Sequence, residues 1–174
     1  MSLPITTIPS PNFTRGRARN VRLVVIHTVE APERGTIAED VARNWFATPA
    51  ARSSAHYVVD NDSIVRCVDE ADTAWAAPGA NADGLQIEHA GYAAQTPSQW
   101  GDDYSRAMLE LSARLTADLC RRYAVALQTH GFAAPTIATQ ATATGLWQIA
   151  LAAGLVVAPA PSSSHPFTAG SLAA

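Results

Sequence analysis

Charge is missing from the last third of this sequence. All twelve basic and all fifteen acidic side chains precede position 123, and residues 123–174 hold none. Against a usual charged fraction of about a quarter, such a gap calls for an explanation. Two are open: an unusual apolar tail or linker, or a shift of reading frame near residue 125. Ala, Thr, Pro and Ser dominate the segment, and only 145–157 (GLWQIALAAGLVV) could form an apolar helix. Cysteine is scarce as well. Cys67 and Cys120 cannot make a multi-bridge framework. Two free thiols in a reducing compartment are expected, with a single bridge as the alternative. No run reaches the ~18 apolar residues of a membrane span, so no membrane partner is expected. Residues 1–20 lack the apolar core of a secretory signal, which points to a cytoplasmic location. A net charge of −3 supplies no basic face for nucleic acid. No P-loop, dinucleotide-binding glycine motif, CxxC pair, HExxH or GxSxG is present, which removes the common nucleotide, zincin and serine-hydrolase signatures.

What is there reads as one domain. The 174 residues, 48% of them hydrophobic, suffice for an ordinary core. Residues 1–20 form an extended lead-in. Residues 21–27 (VRLVVIH) are an apolar, β-branched run, expected as a buried strand in the middle of a sheet. Thr36 and Glu39 have capping-box spacing and open a helix over 37–47, with Ile37, Val41 and Trp45 on its buried face. SAHYVV (54–59) and SIVRCV (63–68) flank the Asp60-Asn61-Asp62 turn signal and predict a hairpin. A short strand is expected within 73–77, an irregular loop over 78–84 and another strand over 85–89. Alternation in that last strand puts Leu85 and Ile87 on one face, Gln86 and Glu88 on the other. A long helix runs from Asp103 to Tyr123, with Met108, Leu111, Leu115 and Leu119 as its core stripe. The whole is a mixed α/β domain over 5–124, followed by an atypical uncharged tail over 125–174.

Few residues carry chemistry. His27 ends an apolar strand, at the sheet edge where α/β proteins build their sites. A lone histidine there is a structural residue or a metal ligand, and a hydrolytic zinc needs three protein ligands plus an open position. Glu88 is either a solvent-facing carboxylate or a general base acting on a metal-bound water. His89 points to the opposite face from Glu88. His56 reads as a hydrogen-bonded structural side chain. Trp75, Pro78, Asn81 and Tyr92 mark an aromatic and amide-rich loop region of the kind that binds sugar or peptide.

Taken in order, VRLVVIHTVEAPE, then SSAHYVVDNDSIVRCVDEADTAWAAPGANADGLQIEHAGYA, then a long helix, resembles the type-2 N-acetylmuramoyl-L-alanine amidases. The likeness is greatest to phage endolysin amidase domains, particularly of phages infecting actinobacteria; the peptidoglycan recognition proteins share the fold. The resemblance covers about 5–124. It implies a central mixed β-sheet flanked by helices, one Zn2+ at the sheet edge, and cleavage of the amide between the muramic acid lactyl group and the first L-alanine of the stem peptide. By resemblance His27 is the first zinc ligand and Glu88 the carboxylate beside the zinc-bound water. The stretch from Trp75 to Gly84, with Asn81, lines the rim of the substrate groove. His56 matches a position that is not a ligand.

The resemblance breaks after the long helix. There the family carries its second ligand, a His, and then an Asp, Cys or His. Here no Asp or Cys follows Cys120, and the later histidines are His130, in THGF, and His165. They are the candidate second and third ligands, and neither sits in the family's motif. Ala76 stands where many relatives carry His. Three functions stay open: an active zinc amidase, a homologue inactivated by its altered tail, or a non-catalytic peptidoglycan-binding module. A monomer is expected, staying in the host cytoplasm until released onto the cell wall if it is a phage lysin.

Overall fold

The computed structural model describes residues 3–125. The lead-in supplies two strands, β1 (Ile5–Thr7) and β2 (Phe13–Thr14). They are followed by β3 (Leu23–Thr28), a short helix α1 (Ile37–Val41), β4 (Tyr57–Val59), β5 (Ile64–Arg66), β6 (Thr73–Ala74), β7 (Gly84–His89) and the long helix α2 (Asp103–Tyr123). Five strands form one sheet in the order β1-β5-β4-β7-β3, and β2 pairs with β6 beside it. The β4–β5 hairpin is antiparallel. β1 on β5, β4 on β7 and β3 on β7 are parallel. A central mixed sheet with flanking helices is the expected fold. The tail, with the frame-shift reading, the 145–157 helix, His130 and His165, lies outside the described residues.

Three expectations are corrected. Among the described residues β3 is the end strand of the sheet, not a central one, and all six of its residues are half-buried. An apolar β-branched run reports two covered faces and does not distinguish a middle strand from an edge. The capping box is not formed. Thr36 makes no side-chain cap; its hydroxyl bonds to Asp40 instead. The Ala38 N–H in the first turn donates to Asp60 Oδ2 from the β4–β5 turn, at 3.0 Å. Finally, Trp45 is 47% exposed. After Val41 the backbone passes into a five-residue π-helical segment, Ala42–Phe46, closed by Ala47 N–H on the Ala42 carbonyl. The longer i→i+5 turn moves Trp45 off the stripe, and Phe46 takes the buried place five residues beyond Val41.

α2 behaves as its sequence predicts. Asp102 caps it through Ser105 N–H at 2.8 Å. Met108, Leu115 and Leu119 are fully buried, while Leu111 packs on the core half-buried. Helix and sheet are also joined by a polar pair. His89 at the end of β7 bonds Ser112 of α2 through Nε2, and its Nδ1 lies 3.1 Å from the His27 carbonyl. α2 therefore covers the face of β7 that carries His89, opposite the face of Glu88. Cys67 and Cys120 are free and buried; burial pushes their thiols up to about 12 and about 11. Among the described residues no helix is long and apolar enough to cross a membrane.

Candidate active site

β3 and β7 lie parallel, with His27 opposite Glu88 in register. Register partners on neighbouring strands point to the same side of a sheet. The imidazole and the carboxylate therefore share one face, at the carboxyl ends of two adjacent parallel strands. Open α/β sheets place their ligands at such strand ends. A direct contact confirms the parity: His27 Nε2 lies 2.7 Å from Oε1 of Gln86, which is two residues before Glu88 on the same face.

Burial sets the electrostatics. The His27 ring is held below the usual histidine range by burial, which the Gln86 hydrogen bond only partly offsets. Burial, and then the nearby Glu30 carboxylate, push the Glu88 carboxyl up to about 8. Its Oε2 is buried and has no hydrogen-bond partner among the described residues. Buried polar atoms without partners are rare and need a reason; a ligand or a reacting water at this point supplies one. Glu30 adopts a left-handed backbone, φ 54°, uncommon for a residue with a side chain. It accepts from Thr28 Oγ1 at 2.6 Å and Ala93 N–H at 2.8 Å.

His56 is structural in every contact. Its Nδ1 accepts the Gln86 backbone N–H at 3.0 Å, and its Nε2 lies 3.2 Å from the Asp72 carbonyl. Arg17 Nη2 stands 2.8 Å from the same Nε2. Burial, and secondarily the Arg17 charge, bring this imidazole down to about 4 against the pull of the Asp72 carbonyl.

Asn81 and Trp75 are not brought to His27 by any contact. The Asn81 side-chain Oδ1 accepts Ala76 and Ala77 N–H at 3.1 and 2.7 Å, which shapes the loop. Asn81 also lines a cavity of about 460 Å³ with Arg15, Arg17, Thr73 and Pro78; His27 and Glu88 are not among its walls. Trp75 is 36% exposed, with its indole N–H on Thr14 at 2.9 Å. Sequence reasoning missed Gln86 and Glu30 as neighbours of the pair. Strand alternation already placed Gln86 beside Glu88; nothing local signalled Glu30.

Zinc hydrolases hold the metal with three protein ligands. Among the described residues no three His, Cys, Asp or Glu side chains come together as a metal site. His27 and Glu88 supply one imidazole and one carboxylate. The described residues do not by themselves fit a zinc ion, and the candidate ligands His130 and His165 lie outside them.

This fold and this pair define a class: α/β proteins with a mixed sheet and a histidine–glutamate couple at the ends of adjacent parallel strands. The chain belongs to the N-acetylmuramoyl-L-alanine amidase family, whose pattern it matches over residues 17–145. It is similar to N-acetylmuramoyl-L-alanine amidase A of Achromobacter lyticus, at 36% identity over 104 residues, 59% of this chain and 52% of that protein. The chain thus spans about half the length of this relative. The PlyG catalytic domain superposes with a TM-score of 0.59 at 15% identity, covering 93% of this chain and all of that one. A mutant endolysin from Bacillus subtilis gives 0.57 at 17% identity, covering 71% and 79%. At these identities the two structures speak for the fold alone.

Proposed function

We propose that this chain hydrolyses the amide joining the muramic acid lactyl group to the first L-alanine of peptidoglycan stem peptides, in the manner of a phage lysin. The observation that carries the reading is the His27–Glu88 couple: register partners on one face, with a buried, unpartnered carboxylate oxygen. Family membership supports peptidoglycan as the substrate class. Amides are poor electrophiles and neutral water is a poor nucleophile. Zinc would be the cofactor of this reading, with His27 as one ligand and His130 and His165 as the candidate partners; if bound, it would supply a Lewis acid able to lower the pKa of a water to ~7.

Glu88 then works as the general base. In the metal-free chain burial and Glu30 push its carboxyl up to about 8, and a bound cation would draw it back toward the ionised form a base needs. Glu88 takes a proton from the attacking water and returns it to the departing alanine nitrogen. Trp75 and Asn81 form the rim on which glycan or peptide rests. The protein acts as a monomer, from the cytoplasm onto the wall once the membrane has been opened. Nucleic acid and membrane play no part.

One observation favours a second reading, an inactive homologue or a peptidoglycan-binding module: the described residues hold one imidazole where three metal ligands are needed. Purified peptidoglycan incubated with the zinc-loaded chain distinguishes these. The amidase reading expects new N-terminal L-alanine on released stem peptides, lost on chelation. Sedimentation with the wall and no new amino termini would leave the binding module standing instead.

A further inference from the structure

A neutral imidazole has one protonated nitrogen and one with a lone pair, and a neighbouring hydrogen bond decides which is which. At His27 that decision is made by a relay that ends at a backbone carbonyl. The Ala80 carbonyl can only accept, so the Gln86 group 3.1 Å from it is the amide NH2. The amide oxygen is then the atom 2.7 Å from His27 Nε2. That oxygen can only accept as well, so Nε2 carries the proton and Nδ1 keeps the lone pair. Nδ1 has no hydrogen bond among the described residues.

The relay is built in from both sides. Gln86 is fully buried, and its backbone N–H is fixed on His56 Nδ1, so the amide has no water with which to exchange partners. Position 84 must be glycine for the relay to exist. A Cβ there would lie 2.4 Å from the Ala80 carbonyl oxygen and 2.8 Å from Gln86 Nε2, and 3.0 Å from Val25.

We propose that Gln86 is a positioning residue: oriented by the Ala80 carbonyl through the gap left by Gly84, it holds His27 as the Nε2–H tautomer and reserves Nδ1 for whatever binds there. Ligating histidines commonly have their second nitrogen fixed in this way. The inference rests on the amidase reading only for the use to which Nδ1 is put.

The test is nitrogen NMR on the full chain, 15N-labelled and stripped of metal with a chelator, without substrate. Long-range proton–nitrogen correlation should show His27 protonated at Nε2, with a proton that exchanges slowly with water. In Gln86→Met, similar in length but without donor or acceptor, that exchange should speed up about fivefold, the worth of one ordinary hydrogen bond. An unchanged backbone amide spectrum and melting temperature show that this variant has folded. Gly84→Ala should give the same acceleration with Gln86 intact. An Nδ1–H tautomer in the wild-type protein overturns the proposal, whether or not the variants fold. Unchanged exchange in folded Gln86→Met does so too. A protein with the expected tautomer and no amidase activity would sink the functional reading and leave the positioning role intact.

Discussion

Glu88 is where function and stability pull against each other. An unfolded glutamate titrates near 4.5, whereas here burial and the Glu30 charge push the group up to about 8. Between those two values the folded chain holds a proton that the unfolded chain has released, so stability falls as pH rises. Glu88→Gln removes that loss. Its denaturation midpoint should match wild type at pH 4 and exceed it at pH 8, by ~1–3 kcal/mol in unfolding free energy. On the proposed general-base role the same change should also lower turnover, by about 10²- to 10⁴-fold. The comparison is measured by urea titration at the two pH values on metal-free protein.

At the scale of elements, α1 depends on a residue from elsewhere in the chain. Asp60 is fully buried. Its Oδ1 takes the Asp62 and Ser63 N–H groups and the Ser63 hydroxyl, and its Oδ2 caps α1 at Ala38. One side chain thus shapes the β4–β5 turn and starts a helix some twenty residues earlier. Asp60→Ala should destabilise the protein by about 2 kcal/mol or more, from a lost cap and orphaned turn donors, read as a lower thermal midpoint. Thr36→Ala should change the midpoint little.

These two residues also explain what was legible in the sequence. The Asp60 turn, the hairpin, β7 and the whole of α2 follow from local alternation, turn residues and a four-residue repeat, all written in neighbouring positions. The Thr36 box has the correct spacing and still loses to a carboxylate brought in by the tertiary fold. Trp45 obeys helical spacing until the backbone changes its turn after Val41, which no residue type in that stretch announces. Parity placed Gln86 and Glu88 on one face. Their joining with His27 required the β3–β7 register, a contact about sixty residues apart that no local pattern encodes.

For the molecule as a whole, Glu70 ties the end of α2 to the sheet. Its carboxylate accepts from the hydroxyls of Tyr57 on β4 and Tyr123 at the end of α2, and it pairs with Arg122, whose Nη2 is 2.7 Å away. Burial alone would raise its pKa; the Arg122 and tyrosine hydrogen bonds outweigh that and bring it down to about 2. The folded carboxyl therefore releases its proton more readily than the unfolded one. The resulting stability is complete above 4.5 and disappears as pH falls through about 2. Glu70→Gln should be ~1–3 kcal/mol less stable at neutral pH, and the gap should close in acid, as followed by circular dichroism.

The most direct test of the account is the initial rate of L-alanine N-terminus release from purified peptidoglycan by zinc-loaded wild type, His27→Ala and Glu88→Gln, with wall binding measured in parallel. The account predicts release by wild type and its loss in both variants, while both still fold and bind the wall. Undiminished release by Glu88→Gln, or by His27→Ala, would contradict it.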